Sequence, residues 1–246
     1  VSALSATGAT LNGTVNAAGN ATTVTFQFGE TPAYGRETGA SPGTVTGNTD
    51  TPVQAVLSGL TPDTTYHYRV RYGTKPGKLR KGPAGKFRTL PGRQLAAPVS
   101  FAVVTGMNYY HFHYGKYNRE MAYSGADKSL GYPALEAIRE LHPDYFIGTG
   151  DNVYFDHPDS ANFQRAVEAG NDPHPGRFDG REATNEADIR RKYHVQFCQQ
   201  RYRELFAETG TYWEKDDHDY RFNDADPYQT HPISHALGVS SFREQL

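Results

Sequence analysis

The chain has 246 residues, which is enough for one large domain or two ordinary ones with buried hydrophobic cores. Its formal net charge is −2, so it lacks the basic excess typical of nucleic-acid-binding surfaces and predicts no nucleic-acid partner. It has no apolar run of the roughly 20 residues that span a bilayer, and its single cysteine excludes an internal disulfide.

The first part of the chain, residues 1–92, has the pattern of short strands. Apolar and polar side chains alternate along residues 24–28 and again along residues 66–72. This period of two is typical of half-buried strands, and turn sequences such as Asn12-Gly13 separate the runs. The sequence therefore predicts an all-β antiparallel sandwich over residues 1–92.

One segment of this sandwich is more specific. Residues 60–66, Leu-Thr-Pro-Asp-Thr-Thr-Tyr, resemble the tyrosine-corner segment of fibronectin type III domains. The resemblance implies that Leu60 fills the core and that the Tyr66 hydroxyl bonds to backbone upstream. Such a match indicates a fold and carries no information about function.

The second part, residues 98–246, alternates strand-like and helix-like segments after a Pro/Gly-containing linker. Residues 99–104 are mostly apolar, which predicts a strand covered on both faces. The predicted order is strand 99–104, helix 129–141, strand 144–148, one long helix 186–208 and strand 211–214. This order indicates an α/β domain with a parallel-type sheet.

Polar clusters follow each of the three predicted strands, at residues 105–113, 149–157 and 215–220. Ligands of such sheets bind outside the carboxyl ends of the strands, where neighbouring loops converge. Oxygen-rich loops with imidazoles are what a pair of cations requires, because one carboxylate can bridge both ions. Either acidic cluster alone could be an exposed turn. Their occurrence after successive strands favours a metal site.

Two of these clusters resemble a known family. Residues 150–154, Gly-Asp-Asn-Val-Tyr, resemble the Gly-Asp-x-x-Tyr block of the alkaline phosphatase D family of calcineurin-like metallophosphoesterases. Residues 213–219, ending in Asp-Asp-His-Asp, resemble that family's Asp-Asp-His-Glu block. An amino-terminal sandwich before the catalytic domain also fits the family, as does an extracellular or periplasmic location.

The resemblance implies a hydrolase that cleaves phosphate mono- or diesters with a metal-activated water. It implies two or more metal ions, iron plus calcium, with Asp151 bridging them as a catalytic residue. Tyr154 and Asp217 are the implied further metal ligands. His218 is implied to contact the phosphate or to protonate the leaving group, which an imidazole can do near neutral pH.

The first block departs from the family pattern. The usual Ser-Cys pair, which supplies a cysteine ligand, corresponds to Thr105-Gly106, and glycine has no ligating side chain. Asn108 is the expected replacement ligand, with a following histidine or a different first metal as alternatives. His111 and His113 are candidates to point the same way from an extended segment, or are ordinary loop histidines.

A second departure concerns the later blocks that supply histidines in this superfamily. After Asp219 only His231 and His235 remain, and both are expected in a loop. We therefore expect an apparently truncated domain, the amino-terminal portion of a metallophosphoesterase, with the remaining C-terminal part of the same domain as a partner. Residues 156–185 form a long Pro/Gly/Asp/His-rich stretch, expected to be a substrate-facing lid or solvated irregular structure.

The sequence leaves two alternatives open. A purple-acid-phosphatase-like hydrolase also couples a fibronectin-like module to this fold, but the Asp-Asp-His block argues against it. The chain could instead be a non-catalytic extracellular binding module with a degenerate site. The replaced cysteine and the missing later histidines favour that alternative.

Overall fold

The computed structural model describes residues 1–75, 77–94, 96–115, 122–157 and 181–246. Most of the predicted lid, residues 158–180, lies outside the described residues. The chain forms two compact units. The first comprises Val1–Phe101, His142–Phe146 and Phe206–Tyr212, and the second comprises Ala102–Leu141, Ile147–Leu205 and Trp213–Leu246. Among the helices that these ranges describe, none is long and apolar enough to cross a membrane.

The first unit is built on a six-stranded sheet in the order β1-β4-β3-β2-β5-β6, and its neighbouring strands pair antiparallel. The strands are β1 (Gly8–Asn16), β2 (Thr22–Gly29), β3 (Arg36–Val45), β4 (Asp50–Ser58), β5 (Thr65–Gly73) and β6 (Arg80–Arg88). Strand β3 pairs with β2 near both of its ends but with β4 only at Ser41–Gln54. The sheet therefore curls at β3.

The core of the first unit follows from the alternation seen in the sequence. In β2, Val24, Phe26 and Phe28 are buried, while the intervening Thr25 and Gln27 are partly exposed. The predicted period of two is confirmed here. The same core contains Leu11, Val53, Leu57, Tyr66 and Phe87.

The segment that resembles a tyrosine corner has the contacts which the resemblance implies. The Tyr66 hydroxyl oxygen accepts a hydrogen bond from the Thr61 backbone N–H at 3.0 Å. Leu60 is buried, and the Tyr66 ring stacks on Phe87 with the ring centroids 5.6 Å apart. A buried tyrosine hydroxyl thus has a backbone partner, as burial of a polar group requires.

A three-stranded sheet in the order β7-β8-β9 carries the polar clusters. Its strands are β7 (Phe101–Val104), β8 (Tyr145–Thr149) and β9 (Gly210–Glu214). The Ser100 N–H donates to the Asp144 carboxylate before the two strands start, and the Thr149 hydroxyl donates to the Val104 carbonyl where they end. Strands β7 and β8 therefore run in the same direction, so their carboxyl ends lie side by side.

Strand β7 differs from its prediction. Phe101 is 59% exposed and Val103 is 56% exposed, so β7 is not covered on both faces. Phe101 and Val103 share one face of the strand, and an apolar run alone does not reveal whether a face is covered.

The predicted long helix 186–208 is two helices in the structure. The helices of the described chain are α1 (Tyr109–Tyr114), α2 (Pro133–Glu140), α3 (Glu186–Phe197), α4 (Gln200–Glu208) and α5 (His235–Gln245). The break falls at Cys198 and Gln199. The buried Gln199 side chain donates to the Gln196 carbonyl at 2.8 Å, which satisfies one of the carbonyls left open at the end of α3.

Helix α2 is shorter than the predicted helix 129–141. Gly131 has a left-handed φ of +95°, and Pro133 opens the helix, where its missing N–H costs little. Asp127 makes no side-chain cap and instead pairs with Arg201 at 2.5 Å. Leu141, the last residue of the predicted helix, follows the last helical residue in the structure and is 81% exposed.

Candidate metal centre

The turn after β8 brings Asp151 close to the turn after β9. Gly150 and Asp151 have left-handed φ angles of +97° and +52°. A Cβ atom added to Gly150 would lie 2.6 Å from the Asp216 Cβ, so only glycine permits this approach. A non-glycine residue in this conformation is uncommon, and such backbone is enriched at functional sites.

The buried carboxylate of Asp219 ties these two turns together. Its Oδ2 accepts from the Asn152 backbone N–H at 3.0 Å and from Asn152 Nδ2 at 2.6 Å, and its Oδ1 accepts from the Asp216 N–H at 2.6 Å. Burial raises the pKa of Asp219 to about 6, although these donors act to lower it. The position of Asp151 relative to Asp217 therefore depends on a carboxylate that does not itself face solvent.

Asp151, Asp217 and His218 form one group that could hold a cation. One ligand atom from each of the three residues lies within 4.8 Å of the others. The Asp151 Oδ1 atom is buried and has no hydrogen-bond partner within the described part of the chain. Burial raises the pKa of the Asp151 carboxyl, although a hydrogen bond from Tyr154 acts in the other direction.

A buried carboxylate oxygen without a donor is costly unless a proton or a cation compensates for it. Two carboxylates and an imidazole are also a donor set that suits a hard or borderline divalent cation. The residues present therefore fit a metal ion. This conclusion rests on the orphaned Asp151 oxygen and on the chemistry of the three donors.

Tyr154 lies beside Asp151 and His218. Its hydroxyl donates to Asp151 Oδ2 at 2.9 Å, and its ring centroid is 4.3 Å from that of His218. Burial, followed by the hydrogen bond to Asp151, raises the pKa of Tyr154 above its ordinary value. Asp151, Tyr154, Asp217 and His218, all singled out from the sequence, thus lie together.

A second group shares His218 and contains two residues that were not singled out from the sequence, Asp156 and His157. Ligand atoms of Asp156, His157 and His218 lie within 4.8 Å of one another. Asp156 and His157 belong to the polar segment 149–157, and Asp156 comes two positions after Tyr154. The available signal was an acidic residue and a histidine directly after the Gly-Asp-x-x-Tyr block.

Asn108 lies beside this second group and begins α1. Its Oδ1 accepts from the His111 backbone N–H at 2.9 Å, a side-chain cap of the helix. Its Nδ2 lies 3.0 Å from Nδ1 of His157. The role of Asn108 as a metal ligand stays a prediction, and the cap already uses its carbonyl oxygen once.

The expectation that His111 and His113 point the same way from an extended segment is wrong. Both lie in α1, where side chains two residues apart are rotated by about 200° around the helix axis and so point in different directions. The buried His113 has its Nε2 3.1 Å from the Gln199 Oε1. The ring of His111 is 5.0 Å from that of His157, so of the two it lies on the side of the candidate site.

The two later histidines lie elsewhere. His231 is in a loop as expected, with its ring 4.7 Å from that of Phe222. His235 is not in the loop, because it is the first residue of α5, and its Nδ1 lies 2.5 Å from the Tyr220 hydroxyl. Neither belongs to the groups that could hold a metal among the described residues.

Comparisons with known proteins agree with this fold. No protein-family model matches the sequence, and no curated protein matches it. The chain is similar to the solved structure of PhoD, with a TM-score of 0.67 and 17% identity, over 99% of this chain and 44% of that one. It is also similar to the purple acid phosphatase PPD1 from yellow lupin (Lupinus luteus) seeds, with a TM-score of 0.58 and 11% identity, over 98% of this chain and 38% of that one.

The chain thus spans less than half the length of each of these two proteins. At these identities the likeness concerns the fold alone. The chain has a PhoD-like fold.

Proposed function

We propose that this protein is a metal-dependent phosphoesterase of the alkaline phosphatase D type, which hydrolyses phosphate mono- or diesters. One observation carries the proposal: Asp151, Asp217 and His218 converge within 4.8 Å, and a buried Asp151 oxygen there has no hydrogen-bond partner in the described chain. The fold shared with PhoD and with the lupin purple acid phosphatase supports it.

In this proposal Asp151 would hold both cations, iron and calcium by family resemblance, and Tyr154, Asp217 and Asn108 would be further ligands. Bound cations would polarise the phosphoryl oxygens and lower the pKa of an attacking water. His218 contacts the phosphate or holds the proton that the leaving oxygen takes. The hydroxyl of Tyr154 orients the Asp151 carboxylate through their 2.9 Å hydrogen bond.

The proposed organisation is a fibronectin type III-like sandwich over residues 1–92 and part of a metallophosphoesterase domain over residues 98–246. The Tyr66 hydrogen bond to the Thr61 backbone and the buried Leu60 support the first assignment. We further propose an extracellular or periplasmic location and, as a partner, the remaining C-terminal part of the same catalytic domain.

The test begins with elemental analysis of the purified protein and its hydrolysis of a chromogenic phosphate monoester and diester. Asp151→Asn should lose both bound metal and turnover. Asp63→Asn is a matched control, because Asp63 has nearly the same φ, +51° against +52°, and lies outside the candidate site. It should retain both properties.

His218→Ala, in the same assay, distinguishes a role of His218 as a general acid from a role as a metal ligand. It should retain the metal and lower turnover about 100-fold or more, as expected for the loss of a general acid. Equal metal loss in His218→Ala and Asp151→Asn would instead make His218 a ligand. A wild-type protein with neither metal nor turnover would leave the alternative of a binding module with a degenerate site.

A further inference from the structure

The hairpin of strands β5 and β6 carries about a third of the lysines and arginines of this protein. Residues 65–88 contain eight of them and no aspartate or glutamate. Because the whole chain has a formal net charge of −2 and this hairpin contributes +8, the remaining residues sum to −10. Positive charge is thus concentrated on one hairpin of an otherwise acidic protein, which favours contact with an anionic partner.

Five of these cations share one face of the hairpin. Tyr66 and Tyr68 are buried in the core, so the alternate side chains of β5 face outward. The antiparallel register places Lys81 directly opposite Arg71, and directly opposite residues lie on the same face of a sheet. The cations of this outer face, which we call the cationic stripe, are Arg69, Arg71, Lys81, Lys86 and Arg88.

The cationic stripe is long and narrow. The strand from Thr65 to Arg71 spans about 20 Å, while β5 and β6 lie about 5 Å apart. On the β2 side of the stripe lies Glu37, whose carboxylate pairs with Arg71 at 2.9 Å, and at one end Asp63 pairs with Arg88 at 2.7 Å. A flat anionic membrane would also meet these carboxylates. A single extended chain fits the stripe better.

The stripe contains both a repulsive pair and a preformed arginine. Arg71 and Lys81 lie directly opposite each other, which costs stability, and the exposed Lys81 has no ion pair to another described residue. A bound anion would relieve this repulsion. Arg69 donates through Nε and Nη2 to the Gln27 Oε1 at 2.9 and 2.6 Å, and its guanidinium lies 4.3 Å from the centroid of the Tyr34 ring. An arginine held in this way loses little side-chain entropy on binding.

Strand β2 places neutral hydrogen-bonding groups beside the stripe. Thr23, Thr25 and Gln27 face outward, because the intervening Val24 and Phe26 are buried, and β2 pairs directly with β5. This polar row suits a partner that has hydroxyl groups as well as charges. The large exposed hydrophobic side chains of the described chain lie outside this hairpin, whereas single-stranded nucleic acid is typically bound by exposed aromatic rings.

We infer that the cationic stripe and the polar row form a binding surface for an extended anionic polysaccharide. The charged groups of the polymer pair with the lysines and arginines of the stripe, and its hydroxyls form hydrogen bonds with the polar row. The surface lies entirely within the first unit, and the inference does not rest on the proposed function.

The test measures binding of heparin, a sulfated polysaccharide, to the full chain. Lys81→Gln/Lys86→Gln removes two charges from the stripe. Arg80→Gln/Arg203→Gln is the matched control, because it removes the same charge from exposed residues outside the stripe. Arg80 lies opposite Tyr72 on the other face of β6, and Arg203 lies in α4.

Fluorescence anisotropy at several salt concentrations measures the affinity of each variant. The stripe variant should bind heparin about 10-fold more weakly or worse, and its plot of log affinity against log salt should be shallower by about two, since each lost contact releases one counterion fewer. The control should match the wild type in both respects. Equal losses in the two variants would show that only net charge matters and would overturn the inference.

A second comparison decides the kind of polymer. Thr23→Val removes one hydroxyl of the polar row without changing charge, and Thr51→Val on β4 is its control. Thr23→Val alone should weaken heparin binding several-fold, and neither variant should affect binding of inorganic polyphosphate, which has no hydroxyl along its chain. Tighter binding of polyphosphate, of single-stranded DNA or of phosphatidylglycerol vesicles than of heparin would refute a polysaccharide partner. A wild type that does not bind heparin would refute the surface itself.

Discussion

Asp219 and Asn152 are 67 positions apart in the chain, yet Asn152 Nδ2 donates to Asp219 Oδ2 at 2.6 Å. The same oxygen accepts from the Asn152 backbone, and the other oxygen accepts from Asp216. One buried carboxylate therefore joins the turn after β8 to the turn after β9. The candidate metal ligands Asp151 and Asp217 each lie next to one of these bonded residues.

This relationship predicts that Asp219→Ala lowers metal affinity without removing a proposed ligand. Outer residues that orient metal ligands typically contribute about 10- to 100-fold in affinity, and we expect a loss in that range. Calorimetric titration of the metal-free protein measures it. Asn152→Ala should lose a similar factor, and the double variant should lose less than the product of the two. Independent, multiplicative effects would show that the two side chains do not act together.

Gly150→Ala should damage the site for two reasons that a control can separate. The new Cβ would lie 2.6 Å from the Asp216 Cβ, and the left-handed φ strains any side chain. Gly106→Ala carries the strain alone, because Gly106 has a φ of +68° and no atom within 4 Å of an added Cβ. Urea unfolding should show a cost of about 1 kcal/mol for the control and clearly more for Gly150→Ala. Equal costs would mean that the two turns do not need to be this close.

Arg221 is expected to hold the loop that follows the Asp-Asp-His turn. Its guanidinium is buried and donates to the carbonyls of Ile233, Asp226 and Gln229 at 2.8, 2.7 and 2.6 Å. Arg221→Met leaves three carbonyls without this donor, so we expect a loss of about 3 kcal/mol in the free energy of unfolding. Arg243→Met, at an exposed arginine, should change it by less than about 0.5 kcal/mol. Urea unfolding of both variants measures these losses. A loss for Arg221→Met as small as that for Arg243→Met would contradict a structural role for Arg221.

Glu37 makes a pH-dependent contribution to the stability of the first unit. Partial burial acts to raise its pKa, but hydrogen bonds from Thr25, Gln27 and Arg71 outweigh it and hold the pKa below its ordinary value. A depressed carboxyl pKa contributes stability above the unfolded-state value of about 4.3, and that stability is lost as the pH falls through the folded-state value. Glu37→Gln should therefore destabilise at pH 7 and have little effect at pH 3.

The size of this effect is limited by solvent, since the Glu37 side chain is 36% exposed. We expect less than about 1 kcal/mol at pH 7 from thermal unfolding. Thr51→Val removes an uncharged hydroxyl that donates to the Thr49 carbonyl and provides a pH-independent control. A Glu37→Gln effect that is the same at both pH values would show that the carboxylate charge contributes nothing.

The sequence by itself determined the features that depend on local patterns. The burial of Val24, Phe26 and Phe28 follows from a period of two, which places alternate side chains on one face of a strand. The convergence of the polar clusters was predicted because neighbouring strands of one direction end at the same edge of a sheet. Within those clusters, the resemblance to the alkaline phosphatase D family singled out Asp151, Tyr154, Asp217 and His218, which the structure places close together.

Only the tertiary structure decided which distant side chains meet. Asp156 reaches His218 across 62 positions, and the Gln199 side chain, at the break after α3, contacts Gln196 and His113. The exposure of Phe101 and Val103 in β7 likewise could not be read from their apolar run. A local pattern sets which side of its own strand or helix a residue occupies. What lies on that side is set by packing between segments far apart in the chain, and no period in the sequence encodes it.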